Sequence, residues 1–139
     1  MRSVAAFGVA LLLFAFSASP DDDPEVKKIL TAIAGKEKLP AGQVFKNVKL
    51  LADVPAARFL RMMDVGYAQS LGVMCDHCHV EDRWEADEKR PKLAAREMIV
   101  FVRDINTKLG QMENIDTDDA TVNCTTCHRG YVKPALQMK

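Results

Sequence analysis

Apolar residues recur at helical spacing in three segments of the chain, and this pattern predicts three helices. The first helix runs from Pro24 to Ala34 and ends before Gly35, a residue suited to a helix C-terminus. Its apolar face consists of Val26, Ile29, Leu30 and Ile33. A connector at residues 40–53 follows, in which Val44–Phe45 and Val48–Leu51 are candidates for extended structure.

The second predicted helix begins at Pro55, because proline suits a first helical turn, and Asp53 is the expected N-cap. Four side chains at four-residue steps form one apolar stripe along this helix: Phe59, Met63, Tyr67 and Leu71. Gly72 ends the helix shortly before Cys75. The stripe is therefore expected to face the group that is bound by Cys75 and its neighbours.

The third predicted helix is the longest and runs from Lys92 to Leu109, between Pro91 and Gly110. Its apolar stripe consists of Ala94, Met98, Phe101 with Val102, Ile105 and Leu109. A charged loop at residues 81–90 precedes this helix, and a polar loop at residues 116–119 follows it. Because strand-like alternation is nearly absent, the fold is predicted to be mainly α.

The motif Cys-x-x-Cys-His occurs twice, as Cys75-Asp76-His77-Cys78-His79 and as Cys124-Thr125-Thr126-Cys127-His128. The two copies contain every cysteine of the chain and two of its three histidines as their final residues. This spacing is the attachment signature of c-type haem, in which two thiols form thioethers and the adjacent histidine reaches the iron. The chain is therefore expected to carry two covalent haem c groups as its cofactors.

Three other uses of paired cysteines are considered. Two Cys-x-x-Cys pairs can hold a tetrahedral zinc ion, and exported proteins use cysteines in disulfides. Neither use explains why a histidine follows each pair. A thioredoxin-like dithiol needs a βαβ context, and the helical pattern does not supply one.

Residues 1–19 have the features of a signal sequence for export. A basic start at Arg2 is followed by the apolar stretch Val4–Phe16, small residues and an acidic segment. Cleavage before Ala18 or before Pro20 fits the small-residue pattern, and an uncleaved segment would attach the protein to the membrane. Residues 20–139 are expected to form a single domain in the periplasm or outside the cell, where haem is attached covalently.

The composition limits the partners and the core. The domain is slightly acidic, with no basic excess, which argues against nucleic-acid binding. Its six aromatic residues are Phe45, Phe59, Tyr67, Trp84, Phe101 and Tyr131. Because six aromatic side chains are few for a core of this size, two porphyrins are expected to complete the core. The expected architecture is a repeat of helix, turn and Cys-x-x-Cys-His, with helices and loops packed around two haems.

Each iron needs a second axial ligand, and histidine is in short supply. With His79 and His128 used, His77 alone remains, and it lies inside the first motif. Methionine is the available soft ligand, and a thioether raises the reduction potential relative to a second imidazole. A methionine in an apolar stripe also serves as ordinary core packing.

The stretch from Asn47 to Pro134 resembles the cytochrome subunit of purple-bacterial photosynthetic reaction centres, and it is similar to one two-haem half of that four-haem protein. The resemblance is carried by residues 45–51, Phe59 with Met63, residues 71–73 and 78–80, Ala95-Arg96-Glu97-Met98, residues 103–106 and residues 126–130 with Pro134. It implies that Met63 and Met98 are the distal ligands. Met62 beside Met63, and Met112 in place of Met98, are the alternatives.

The expected function is electron transfer, with each iron cycling between Fe(II) and Fe(III), and the protein is not expected to be an enzyme. The alternative is a haem enzyme such as a two-haem peroxidase, which needs one iron with an open distal site. The expected partners are redox proteins, including a membrane-bound respiratory or photosynthetic complex. The charged loop at residues 81–90 is a candidate docking surface.

Overall fold

The computed structural model describes residues 23–115, 120–134 and 136–137, and within these ranges the chain is helical without a β-strand. The helices are α1 (Pro24–Ala32), α2 (Ala41–Val44), α3 (Ala56–Arg61), a π-helical segment (Met62–Ala68), α4 (Gln69–Leu71), α5 (Cys75–Cys78), α6 (Arg90–Leu109) and α7 (Cys124–His128). The expectation of a mainly α fold is confirmed. The predicted signal sequence and the loop at 116–119 lie outside the described residues. None of the described helices is long and apolar enough to cross a bilayer.

The start of α1 is fixed by a side-chain cap. The carboxylate of Asp23 accepts hydrogen bonds from the backbone N–H groups of Glu25 and Val26, which would otherwise lack partners. The helix ends at Ala32, two residues earlier than predicted, and Ile33 caps it. Val26 and Ile33 are buried, so α1 packs with the face that its pattern predicts.

The starts of α2 and α3 cap each other through their backbones. Ala41 N–H donates to the carbonyl of Val54 at 2.8 Å, and Ala56 N–H donates to the carbonyl of Leu39 at 2.8 Å. These bonds satisfy first-turn donors without a side-chain cap, so the prediction of Asp53 as N-cap is wrong. The extended-structure candidates are also wrong in part, because Val44 ends a helical turn and Leu51 has a φ of +61°.

The second predicted helix forms, but its middle is π-helical. The backbone remains in the right-handed helical region at both joints, so residues 56–71 follow one path, and Gly72 with φ +66° ends it as predicted. A π segment closes its hydrogen bonds one residue later than an α-helix and is frequent at functional sites. Met62 and Met63 are the first two residues of this segment.

Helix α6 ends at Leu109 as predicted and begins at Arg90, two residues before the predicted start, but its apolar stripe is not buried by protein. Met98 is 41% exposed and Phe101 is 54% exposed. A different face of α6, with Lys92, Arg96 and Ile99, lies against the first half of the chain. Arg96 on this face donates to the carbonyl of Asn47 at 3.2 Å, which joins α6 to the first half of the chain.

The protein core is small and made of small side chains. Among the described residues the buried apolar ones are Val26, Ile33, Ala41, Ala56 and Leu60. No large side chain in the described ranges is completely buried. The interior therefore has the low content of apolar bulk that the aromatic count predicts.

Candidate functional site

The first Cys-x-x-Cys-His motif forms a single helical turn, α5. Cysteines three positions apart lie on the same side of such a turn, so Cys75 and Cys78 face one space. Burial raises the pKa of both thiols. A redox-active dithiol has a lowered cysteine pKa, so the electrostatics here are opposite to those of a thioredoxin-like site.

The imidazole of His79 is held in one tautomer. Its Nδ1 lies 2.9 Å from the carbonyl oxygen of Trp84, and because a carbonyl can only accept, Nδ1 carries the proton. The Nε2 lone pair is left available, and burial lowers the pKa of His79, which favours the neutral ring. Metal-binding histidines are commonly oriented by such a bond from the other ring nitrogen.

A cavity of about 390 Å³ lies beside this motif. Cys75, Cys78, His79 and Met63 all line it. Most of the remaining wall is apolar and includes Phe45, Phe59, Tyr67, Leu71, Val73, Trp84 and Ile99. Two thiols, a neutral imidazole and a thioether around an apolar cavity are the donor set that a covalent haem requires.

The two adjacent methionines line different spaces. Met63 lines the cavity with Cys75 and His79, whereas Met62 lines a neighbouring open cleft formed with α6. Tyr67 borders both spaces, and burial, with a smaller contribution from nearby Cys124, raises its pKa to about 12. Tyr67 therefore lies between the first cavity and the second motif.

The second motif forms α7 and is fixed by local hydrogen bonds. Asn123 and Thr126 make a reciprocal capping box at its start. The side chain of Asn106 on α6 holds the backbone of Val122 twice, at 2.7 Å from its N–H and at 2.9 Å from its carbonyl. Burial also raises the pKa of Cys124.

The histidine of the second motif repeats the orientation seen in the first. His128 Nδ1 lies 3.0 Å from the carbonyl oxygen of Tyr131, so Nε2 again keeps its lone pair. Unlike Met63, Met98 lies on the exposed face of α6, and Met112 is exposed in the turn after this helix. The structure thus collects the first predicted ligand set around one cavity but leaves Met98 at the surface.

The second motif packs against the end of α4, just before the first motif in the chain. The hydroxyls of Ser70 and Thr125 are 2.6 Å apart, and Gly130 N–H donates to the carbonyl of Ser70 at 2.9 Å. Ser70 is only 4% exposed. A Cβ on Gly72 would collide with the carbonyl group of Gly130, so glycine is required for this approach.

Several supporting residues were not identified from the sequence. The carbonyls of Trp84 and Tyr131 orient the histidines, and Lys92 anchors the loop that carries Trp84. Lys92 lies at helical spacing from Ala95, Arg96 and Ile99, which also line the cavity. That spacing is the sequence signal that could have marked it. His77 is partly exposed, as expected for a residue inside the motif turn. The four thiols are not paired as disulfides and do not join a cluster of three or more metal-binding side chains within the described ranges.

Comparison with known proteins identifies the family. The family described as photosynthetic reaction centre cytochrome C subunit matches residues 16–137. The chain is 33% identical over 109 residues to the photosynthetic reaction center cytochrome c subunit of Rubrivivax gelatinosus, an alignment that covers 76% of this chain and 28% of that protein. The subunit of Thermochromatium tepidum is also 33% identical, over 95 residues, with coverage of 68% and 22%.

A further relative is cytochrome c-554 of Chloroflexus aurantiacus. It is 34% identical over 83 residues, which cover 59% of this chain and 20% of the relative. The chain therefore spans less than a third of the length of each of these three relatives. The resemblance noted from the motifs is confirmed, and the chain belongs to the photosynthetic reaction centre cytochrome c subunit family.

Proposed function

We propose that this protein is an electron-transfer cytochrome with two covalently held haem c groups. Cys75, Cys78 and His79 hold the first group, and the second is held by Cys124, Cys127 and His128. When bound, each haem supplies a reversible Fe(II)/Fe(III) couple. The chain attaches the groups, orients the axial ligands and keeps the first site apolar.

The observation that carries this proposal is the matched orientation of the two histidines. Each Nδ1–H donates to a backbone carbonyl a few residues further on, that of Trp84 or that of Tyr131. Each Nε2 is then free to donate its lone pair beside two thiols on the same helical turn. A disulfide framework does not explain why both histidines make this hydrogen bond, whereas a histidine that binds iron is commonly oriented by such a bond.

We assign Met63 and Met98 as the distal ligands. Met63 is supported by its place in the cavity wall with His79, and Met62 is disfavoured because it lines the neighbouring cleft. Met98 is supported by the family motif and by an exposed apolar face of α6, which a haem on the second motif would cover. Met112 lies in a turn outside this helix, so it is the second choice.

The protein interior supports a structural role for the cofactors. The buried side chains are few and small, while an apolar cavity of about 390 Å³ adjoins the first motif. Burial of porphyrin surface would supply the apolar contact area that the side chains lack. We therefore expect haem attachment and folding to be coupled.

Mass spectrometry of the denatured protein tests the attachment. Protein made in a host that matures c-type cytochromes should carry two haem additions. Cys75→Ala/Cys78→Ala and Cys124→Ala/Cys127→Ala should each retain one. A haem-free mass, or a zinc adduct in the wild type, would exclude the proposed function.

We propose that the protein acts after export and exchanges electrons with a membrane-bound photosynthetic or respiratory complex. Two relatives are named as reaction-center subunits, and their names favour an electron-transfer role over the peroxidase alternative. Ion pairs join Lys28 to Asp82 and Arg83 to Glu88, so the charged loop beside the first motif presents exposed charges of both signs. Rates of reduction by an isolated partner should fall as salt is added. A rate independent of ionic strength would exclude charge-guided docking.

A further inference from the structure

The carbonyl oxygen of Trp84 accepts two hydrogen bonds from very different donors. One comes from His79 Nδ1 at 2.9 Å, and the other from the ammonium nitrogen of Lys92 at 2.8 Å. Lys92 is only 9% exposed, which is unusual for lysine. A cation is therefore built into the hydrogen-bonding environment of the first imidazole.

The ammonium of Lys92 is fixed by further contacts. It donates to the carbonyl of Ala86 at 2.8 Å and lies 3.3 Å from the carboxylate of Asp87. That carboxylate is shared with Arg96 at 3.0 Å and accepts a bond from Asn47 at 2.9 Å. Because two cations share one carboxylate, this cluster keeps a net positive charge. Other charged residues that line the cavity are Lys46, Lys49, Asp82 and Glu85.

Two physical effects of Lys92 act in the same direction. A carbonyl that is already polarised by an ammonium accepts less strongly from His79, so the imidazole donates less electron density to a bound metal. In addition, a buried positive charge opposes the gain of positive charge on oxidation, and a low-dielectric setting screens it weakly. Both effects favour the reduced state of the first site.

We propose that Lys92 is a positioning residue that raises the reduction potential of the first haem through the Trp84 carbonyl and its own charge. The inference rests on the proposed function, in which His79 is an axial ligand. The second site differs, because His128 donates to the carbonyl of Tyr131, a residue that is 70% exposed. The effect of Lys92 is therefore expected at the first site alone.

The test is a potentiometric titration of the holoprotein, followed optically. Lys92→Met removes the charge and the donor, so one of the two midpoints should shift downward while the other stays in place. Lys92→Arg keeps the charge and should remain closer to the wild type. Lys108→Met removes an exposed lysine from the last turn of the same helix, and it should leave both midpoints unchanged.

A second readout follows the imidazole itself. Nitrogen NMR of the His79 ring in the reduced protein should show a more strongly hydrogen-bonded Nδ1–H in Lys92→Met, whereas the His128 signal should not move. If Lys92→Met fails to fold, Lys92→Gln retains a donor without the charge and should give a smaller downward shift. Two haems with both midpoints unmoved would overturn this proposal alone, whereas a haem-free wild type would overturn the proposed function as well.

Discussion

The two motif sites have the same local chemistry but different surroundings. His79 is enclosed by an apolar cavity, a tryptophan ring 5.9 Å from its own and a buried lysine. His128 is oriented in the same way, but the carbonyl that orients it belongs to the exposed Tyr131, and Met98 is also exposed. The first site is therefore enclosed by apolar side chains and a buried cation, whereas the second site is more open. The difference indicates that motif spacing specifies the local geometry of each turn, whereas enclosure depends on the rest of the chain.

Removal of one proposed haem at a time should show this difference most clearly. Cys75→Ala/Cys78→Ala/His79→Ala leaves the apolar cavity of about 390 Å³ without its proposed occupant, so the side chains that line it lose a large buried contact area. We expect loss of cooperative thermal unfolding, measured by circular dichroism.

The matched variant is Cys124→Ala/Cys127→Ala/His128→Ala. It removes the more exposed site, so a cooperative transition should persist with one intact haem spectrum. Equal loss of structure in the two variants would contradict a difference in enclosure.

Substitution at the junction between the sites should have the next largest effect. Gly72→Ala places a Cβ against the carbonyl of Gly130 in addition to the strain of a positive φ. Gly35 also has a positive φ, of +80°, but a Cβ there meets nothing within 4 Å. Gly35→Ala should therefore lose about 1–2 kcal/mol from backbone strain alone, and Gly72→Ala clearly more. Equal denaturation midpoints for Gly72→Ala and Gly35→Ala would show that the backbone around Gly72 and Gly130 can move to accept the added Cβ.

Truncation of the proposed distal ligands compares iron coordination at the two sites. Met63→Ala and Met98→Ala should each let one reduced haem bind carbon monoxide and should remove half of the sulfur-to-iron charge-transfer band. The accompanying loss of stability should be larger for the partly buried Met63, about 2 kcal/mol, than for Met98. Retention of the full band in the double variant would contradict the assignment of Met63 and Met98 and would favour Met62 and Met112 as the ligands.

Loss of the cap on α7 should affect the second site alone. Asn123→Ala removes the capping box and should cost about 1 kcal/mol. The first motif has no side-chain cap at Met74, so Met74→Ala is the matched control and should cost less. The measurement is hydrogen exchange of the backbone amides in α5 and α7. In Asn123→Ala the amides of α7 should exchange faster than in the wild type, and those of α5 should not. A larger increase in α5 than in α7 would contradict the local character of this cap.

The smallest expected effect is a pH dependence of stability that arises from the ion pairs of Asp87, beside the first motif. Hydrogen bonds from Arg96 and then from Asn47 hold the pKa of Asp87 far below its usual range. Because the folded pKa is lowered, the contribution of Asp87 is present above its unfolded pKa of about 3.9 and is lost as pH falls further toward the folded value. The stability gap between wild type and Asp87→Asn should therefore shrink below about pH 4. A gap that is constant into strong acid would exclude this linkage.

The sequence by itself specified the features that depend on neighbours along the chain. The two Cys-x-x-Cys-His turns, the end of the second helix at Gly72 and the end of α6 at Leu109 follow from spacing and glycine. These features involve residues a few positions apart, so local sterics and hydrogen bonding decide them. The family resemblance rests on the same short motifs, and it was therefore visible without a fold.

Tertiary structure decided the features in which distant segments compete for the same backbone groups or space. The N-terminus of α3 uses the carbonyl of Leu39 in place of Asp53, and the middle of the second helix is π-helical where the apolar stripe predicts a regular helix. Lys92 joins Trp84 because the charged loop folds back over α6. Propensity and periodicity describe one helix at a time, whereas these outcomes minimise the free energy of several segments together.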